Sequence, residues 1–268
     1  MESILLAVGI VTAIGLICGL MLAIADKVIA VKEDEKYNKI RACLPGANCG
    51  ACGFAGCDGY AKALRAGKAA PNLCVPGATS TAAALAEVLG VEAGEVAVKK
   101  AFVSCGGCDG CAVKNREYRG IQTCAAAKLA GGEKLCRFGC LGYGDCAAVC
   151  PEKAIVVENG LACVVAADCL GCGKCAAACP PGLIHLIPEG TATQVRCSNR
   201  DRGPAVKAAC KLGCIGCGKC AKVCEAKAIT MEGGLPKINS ELCVGCGKCA
   251  ESCPTGSMIL LAMKKPEA

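Results

Sequence analysis

The sequence predicts an α+β chain with an N-terminal transmembrane helix, a small cysteine-rich domain and two tandem cysteine-rich repeats. Two patterns support this prediction. Residues 4–25 form an uncharged, mostly aliphatic run of 22 residues, and eight of the 29 cysteines each have a counterpart 74 positions later. These patterns divide the chain into an anchor, a first domain, a linker with extra cysteines and two repeat domains, at residues 1–26, 27–78, 79–132, 133–190 and 191–268.

The apolar run is long enough to be a membrane anchor. Twenty-two residues give about 33 Å of helix, which spans the hydrocarbon core of a bilayer. A cleaved signal peptide is the alternative, since Ala23-Ile24-Ala25 resembles a cleavage site, but no positive charge precedes the run. Basic residues follow it at Lys27, Lys32, Lys36, Lys39 and Arg41. The positive-inside rule therefore predicts a single-pass protein of the cytoplasmic membrane with its remaining domains on the cytoplasmic side.

The spacing of the repeated cysteines indicates the cofactor. Three runs of the form C-x2-C-x2-C-x3-C lie at 169–179, 214–224 and 243–253. In bacterial ferredoxins, three cysteines of such a run bind one [4Fe–4S] cluster and the fourth binds the neighbouring cluster. Zinc sites pair C-x2-C knuckles without a third evenly spaced thiol, and a disulfide scaffold does not require this spacing. The repeats are therefore predicted to be two ferredoxin-like domains that carry electrons.

A β-hairpin is predicted in each repeat, between its two groups of cysteines. Asn-Gly and Gly-Gly pairs between short β-prone runs are strong hairpin signals. The predicted strand pairs are 154–157 with 161–165 and 228–231 with 236–238. The order of loop, helix, hairpin, loop, helix and strand is that of a ferredoxin-like domain.

Cross-ligation groups the repeat cysteines into four predicted ligand sets. Tyr143 occupies the position in the first copy that Cys217 has in the second, so Cys136 is predicted to replace the missing thiol, leaving Cys210 spare. The sets are Cys214, Cys217, Cys220 and Cys253; Cys243, Cys246, Cys249 and Cys224; Cys169, Cys172, Cys175 and Cys150; and Cys140, Cys146, Cys179 and Cys136.

A fifth set precedes the repeats, in a glycine-rich loop with the spacing C-x2-C-x4-C-x16-C. Its members are Cys49, Cys52, Cys57 and Cys74, for which zinc remains an alternative. Several thiols outside the five sets are candidate ligands: Cys105, Cys108, Cys111, Cys124, Cys197 and Cys210. The sequence thus predicts at least five [4Fe–4S] clusters, with a sixth expected if these thiols converge.

The composition weighs against nucleic-acid binding and substrate chemistry. The formal charge of +7 counts every cysteine as neutral. Five clusters with four thiolates each contribute about −10 and bring the chain to about −3. Only 3% of the residues are aromatic, so few stacking side chains accompany the basic ones and nucleic-acid binding is not expected. The sequence shows no Ser/His/Asp set, carboxylate pair or phosphate-binding glycine loop, and no catalytic residue is assigned.

The whole chain resembles the B subunit of the Rnf complex, the ion-translocating ferredoxin:NAD oxidoreductase of bacterial membranes. The resemblance rests on the anchor, on L-P-G-x-N-C-G-A-C-G-x-x-G-C at 44–57 closed by Cys74, and on the ferredoxin-like repeats. It implies that the chain accepts electrons from reduced ferredoxin and passes them toward membrane partners. Redox steps in those partners would move Na+ or H+ and reduce NAD+.

Because residues 4–25 hold no charge, the ion path is expected in other subunits. Two alternatives remain open. One is an iron–sulfur subunit of another membrane dehydrogenase or hydrogenase, and the other is a metal-storage or zinc protein.

Overall fold

The computed structural model describes residues 9, 12–22, 24, 35–94, 96, 98–201 and 203–261. Residues 12–22 are helical, and their side chains are exposed. Within these described ranges, no helix has both the length and the apolarity needed to cross a membrane. The rest of the predicted anchor at 4–25 lies outside the described residues.

The first domain is a small helical unit. It contains helices α1 (Glu35–Ala42), α2 (Gly56–Arg65) and α3 (Ala78–Leu89), with a 3-10 turn at Pro71–Leu73 between α2 and α3. Helix α2 buries Cys57, Tyr60, Ala61 and Leu64, whose spacing places them on one face. This face packs against Ile40 of α1 and Leu85 of α3, so the unit has its own core.

The second unit has ferredoxin-like topology. Its elements are β1 (Lys99–Val103), α4 (Cys124–Leu129), α5 (Asp145–Ala148), β2 (Ile155–Glu158), β3 (Leu161–Val164), α6 (Lys174–Ala178) and β4 (Ile184–Pro188). Strands β1 and β4 pair antiparallel, with Ala101 opposite Leu186. Strands β2 and β3 form a hairpin whose turn residues Asn159 and Gly160 both have positive φ. This confirms the hairpin predicted from Asn-Gly.

The start of this unit differs from the predicted boundary at residue 133. Strand β1 lies inside the segment 79–132, for which the sequence predicts a linker, and its partner β4 lies at the far end of the unit. The unit therefore extends from 99 to 188. The boundary differs because β1, at the start of the unit, pairs with β4 at its end. A five-residue strand whose partner is so distant has no recognisable local sequence pattern.

The third unit repeats this topology. Its elements are β5 (Thr193–Val195), α7 (Gly203–Ala209), α8 (Lys219–Lys222), β6 (Ile229–Glu232), β7 (Leu235–Ile238), α9 (Lys248–Glu251) and β8 (Met258–Leu260). Strand β5 pairs with β8, and β6 forms a hairpin with β7, which confirms the second predicted hairpin. The chain is thus a mixed α/β protein with two ferredoxin-like units in tandem.

The two ferredoxin-like units contact each other through the segments that follow β1 and β5. Ala112 forms a β-bridge with Cys210, and the Lys211 N–H donates to the Cys111 carbonyl at 2.9 Å. The Ser198 hydroxyl donates to the Ser104 carbonyl at 3.0 Å. The cysteines after these two strands are therefore brought to one junction.

Candidate metal centres

Four thiols converge in the first unit, at a place we call site I. The buried Cys74 thiol faces Cys49, Cys52 and Cys57, and burial raises the pKa of Cys74 above its ordinary value. The Tyr60 hydroxyl, from helix α2, bonds the turn before Cys74. It donates to the Ala70 carbonyl at 2.6 Å and accepts from the Leu73 N–H at 3.3 Å. These bonds position the turn that leads directly to Cys74.

The loop of site I is held by an asparagine side chain. Asn48 has a positive φ of 46°, and its Oδ1 accepts from the Cys57 N–H at 2.8 Å. Asparagine tolerates this left-handed backbone conformation better than most residues do. The bond links the loop that carries Cys49 to the start of helix α2, which carries Cys57.

Site II lies in the first ferredoxin-like unit, between the loop before α6 and the end of α5. Four thiols line a cavity that encloses about 350 Å³ of space not filled by protein: Cys150, Cys169, Cys172 and Cys175. Burial raises the pKa of Cys175 to about 11. The N–H groups of Ala101 and Gly171 both donate to Cys169 Sγ at 3.4 Å. Such N–H to sulfur bonds stabilise a thiolate and tune a bound cluster.

Site III, in the same unit, differs from the predicted ligand set. Its cavity encloses about 370 Å³, and its four thiols are those of Cys124, Cys140, Cys146 and Cys179. Burial raises the pKa of Cys146 to about 12, with the nearby Cys140, Cys124 and Cys179 adding to the shift. The fourth thiol is therefore Cys124 and not Cys136. Helix α4 begins at Cys124, where the Asp145 carboxylate accepts from the Cys124 and Ala125 N–H groups at 2.8 and 3.0 Å.

Cys136 lies elsewhere, in a set that we call site IV. Its thiol is close to those of Cys105, Cys197 and Cys210. The prediction that Cys210 is spare therefore also differs from the structure. The remaining candidates, Cys108 and Cys111, lie next to each other, with their Cα atoms 5.1 Å apart. No spacing pattern in the sequence predicts that Cys136 is grouped with Cys105, Cys197 and Cys210.

Sites V and VI lie in the second ferredoxin-like unit. The cavity of site V encloses about 310 Å³ and has the predicted thiols: Cys214, Cys217, Cys220 and Cys253. Burial alone would raise the pKa of Cys253, but the Ser257 hydroxyl and nearby N–H groups outweigh it and lower the pKa to about 7. In site VI, Cys249 faces Cys243 and shares a core cluster with Cys224, while the thiol of Cys246 is exposed.

Several of the sites lie next to one another in the structure. A Cβ on Gly171 of site II would lie 3.3 Å from Val75 Cγ1, beside Cys74 of site I. The Cys140 N–H of site III donates to Cys105 Sγ of site IV at 3.4 Å. The backbone of Cys214 in site V hydrogen-bonds the Cys197 thiol of site IV. Site I therefore lies beside site II, and site IV lies between site III and site V.

The donor sets fit iron–sulfur clusters better than isolated metal ions. Four thiols line the cavity at each of sites II, III and V, and four thiols are the ligand set of a [4Fe–4S] cluster. In the part of the chain that the structure describes, no group of three or more His, Cys, Asp or Glu side chains is placed to hold a single ion. The thiols stand around open space, and backbone N–H groups point at several of the sulfurs.

Comparison with known proteins identifies the family. The FeS family model, which describes an Fe–S cluster domain, matches residues 44–76, and the 4Fe-4S dicluster domain model matches residues 213–257. The chain is 46% identical to the B subunit of the Na+-translocating ferredoxin:NAD+ oxidoreductase complex of Acetobacterium woodii, over 89% of this chain and 72% of the relative. The chain belongs to this family of Rnf B subunits. The resemblance stated from the sequence is thus confirmed.

Two further relatives cover nearly all of the chain. The B subunit of the proton-translocating ferredoxin:NAD+ oxidoreductase complex of Clostridium ljungdahlii is 43% identical over 90% of this chain and 86% of its own length. The B subunit of the ion-translocating oxidoreductase complex of Methanosarcina acetivorans is 37% identical over 90% of this chain and 92% of its own length. The family relation therefore extends over all three units.

Proposed function

We propose that this Rnf B subunit accepts electrons from reduced ferredoxin and relays them toward membrane partners and finally NAD+. The observation that carries the proposal is that each of the three units contains a four-thiol site, with site I beside site II and site IV between sites III and V. When bound at these sites, [4Fe–4S] clusters supply one-electron transfer. The protein provides the thiolate ligands, the burial that excludes water, and the N–H donors that set the potentials.

The proposed ligands follow the sites as the thiols are grouped in space. Four of the sequence-predicted sets are kept, and Cys124 replaces Cys136 in the fifth. The five sets are Cys49, Cys52, Cys57 and Cys74; Cys150, Cys169, Cys172 and Cys175; Cys124, Cys140, Cys146 and Cys179; Cys214, Cys217, Cys220 and Cys253; and Cys224, Cys243, Cys246 and Cys249.

The second ferredoxin-like unit is the proposed docking face for ferredoxin. Its cluster loops expose the thiols of Cys217 and Cys246, and the side chains of Leu242 and Val244 are 52% and 72% exposed beside site VI. Exposed apolar groups beside a redox centre favour contact with a partner protein. Electrons would then pass from this unit toward site I, which is nearest in sequence to the N-terminal segment.

The N-terminal segment is the proposed attachment to the membrane. Residues 4–25 would form a single-pass anchor, and the basic residues after it would keep the cluster domains on the cytoplasmic side. The other membrane and peripheral subunits of the complex are the proposed acceptors. An iron–sulfur subunit of another dehydrogenase or hydrogenase remains the alternative, and the near full-length relatives weigh against it.

Stopped-flow reduction by ferredoxin tests the proposal. Anaerobic protein should lose its broad visible absorption when mixed with reduced ferredoxin. Val244→Glu should slow this bleaching without reducing the iron content, because the side chain contacts solvent and not the core. Val91→Glu is the matched control, since Val91 is 51% exposed in the first unit, and it should leave the rate unchanged. Protein that ferredoxin does not bleach, or that is colourless and contains zinc, would refute the proposal.

A further inference from the structure

We propose that site IV, at the junction of the two ferredoxin-like units, binds a sixth [4Fe–4S] cluster through Cys105, Cys136, Cys197 and Cys210. The proposal rests on the proposed electron-transfer function and adds a metal site that no cysteine run in the sequence encodes. Each unit contributes two of the four thiols. The site is therefore complete only when the two units are docked.

The size and the donors of the cavity match those of the other sites. Together with the solvent at its mouth, it contains about 380 Å³ of space not filled by protein, compared with about 350, 370 and 310 Å³ at sites II, III and V on the same measure. Cys105 follows strand β1 and Cys197 follows strand β5, so the equivalent positions of the two units face each other. Cys136 and Cys210 complete the wall of the cavity.

Hydrogen-bond donors point at the sulfurs of site IV. The N–H groups of Gly107 and Cys140 both donate to Cys105 Sγ at 3.4 Å. The Asn199 amide donates to Cys136 Sγ at 3.4 Å. Such donors stabilise thiolate ligands of a metal cluster, whereas a cavity lined by unused thiols would not need them.

A buried lysine provides the second line of support. Lys134 lines the cavity, and only 7% of the residue is exposed. Its ammonium donates to the carbonyls of Gly107 and Gly160, both at 2.7 Å. Within the described part of the chain, no carboxylate is within ion-pair distance of it. Burying an unpaired charge is costly, and a cluster with four thiolates carries about −2, so an anionic cluster in this cavity would compensate the lysine.

Site IV also occupies the gap between the two ferredoxin-like units. It contacts site III through the Cys140 N–H and site V through the backbone of Cys214. Without it, the junction would separate the thiol sites of the two units. With it, a thiol site lies between site III of one unit and site V of the other.

Iron quantification on single variants of the full chain tests the ligands. Cys105→Ala and Cys197→Ala, one from each unit, should each lower the iron and the acid-labile sulfide by about four atoms per chain. Cys163→Ala is the control, because Cys163 lies on strand β3 and lines none of the site cavities. It should leave the count unchanged.

The outcomes separate this proposal from the proposed function. Full iron content of about 20 atoms in the wild type with no loss in either variant would overturn site IV alone. Loss of one zinc instead of four irons would also overturn it. Wild-type iron near 8 atoms would instead overturn the proposed function. Native electron paramagnetic resonance signals from the other clusters would show that each variant has folded.

A potentiometric titration tests the role of Lys134 as a positioning residue. Removing a positive charge beside the cluster makes its reduction less favourable, so Lys134→Met should shift one cluster signal to lower potential. Lys134→Arg should restore most of the potential. Lys114→Met should shift none, because Lys114 lies opposite Lys134 in a β-bridge but is 45% exposed and paired with Asp109. Unchanged potentials in Lys134→Met with full iron content would contradict the proposal.

Discussion

The hydroxyl of Tyr60 is expected to stabilise the turn that carries Cys74. The ring is only 1% exposed and stacks on Phe54 with ring centroids 5.5 Å apart, so Tyr60→Phe should keep its packing. The variant loses the 2.6 Å bond to the Ala70 carbonyl and the weaker 3.3 Å bond from the Leu73 N–H. Ala70 and Leu73 are exposed, so water can replace the hydroxyl.

The free energy lost in Tyr60→Phe is therefore the net contribution of the hydrogen bonds, and not the larger penalty for leaving a buried polar group without a partner. The two bonds together should contribute ~1–2 kcal/mol, which corresponds to a factor of about 5–30 in local opening. Hydrogen exchange by mass spectrometry on the peptide 68–74 measures this factor. Exchange there should accelerate about 5–30-fold, and site I should release its iron faster to a chelator.

Tyr37→Phe is the matched control for this measurement. Its hydroxyl donates to Asp58 Oδ1 at 3.2 Å in a solvent-accessible bond, and Asp58 keeps its 2.6 Å ion pair with Arg41. Exchange in 68–74 should not change in this variant. Equal acceleration in both variants, or none in Tyr60→Phe, would refute the role given to the buried hydroxyl.

Three further predictions concern the contacts that shape the sites. Gly171→Ala should abolish iron binding at site II, because Gly171 has a φ of 68° and its Cβ would overlap the Lys99 carbonyl; full iron content would contradict this. Asp145→Ala removes the acceptor of the Cys124 and Ala125 N–H groups, and Thr123 remains the N-cap of α4. The loss should be similar to that of a helix cap, ~0.5–2 kcal/mol, and should make site III the first to lose iron to a chelator, whereas an unchanged order of loss would count against it. A chain beginning at Lys27 should be soluble, keep its clusters and still be reduced by ferredoxin, and loss of a cluster on this truncation would exclude a purely anchoring role for residues 1–26.

The parts of the sites predicted from sequence are those encoded by local spacing. In the runs at 169–179 and 214–224, the loop and the following helical turn place the first three thiols around one point. The fourth thiol comes from the other cysteine group of the same unit, as the cross-ligation rule predicts. The hairpins are equally local, because turn residues such as Asn159 and Gly160 specify them. The same locality explains why the block at 44–57 is sufficient to indicate site I.

The features that sequence reasoning misses all depend on contacts between distant segments. Cys124 lies at site III, where the carboxylate of Asp145, 21 residues later, accepts from the first N–H groups of the helix that begins at Cys124. Cys136 is close in sequence to Cys140, but its thiol points to the junction, where Asn199 of the other unit donates to it. Strand β1 resembles part of a linker because its partner β4 follows more than 80 residues later. Spacing rules carry no information about such contacts.

Iron and acid-labile sulfide per chain, measured on anaerobically purified protein, test the central claim most directly. Five cluster sites predict about 20 atoms of each, and site IV raises this to about 24. The protein should be brown, with equal iron and sulfide. A reproducible content near 8 atoms would leave only one pair of clusters and would contradict a relay that extends through all three units.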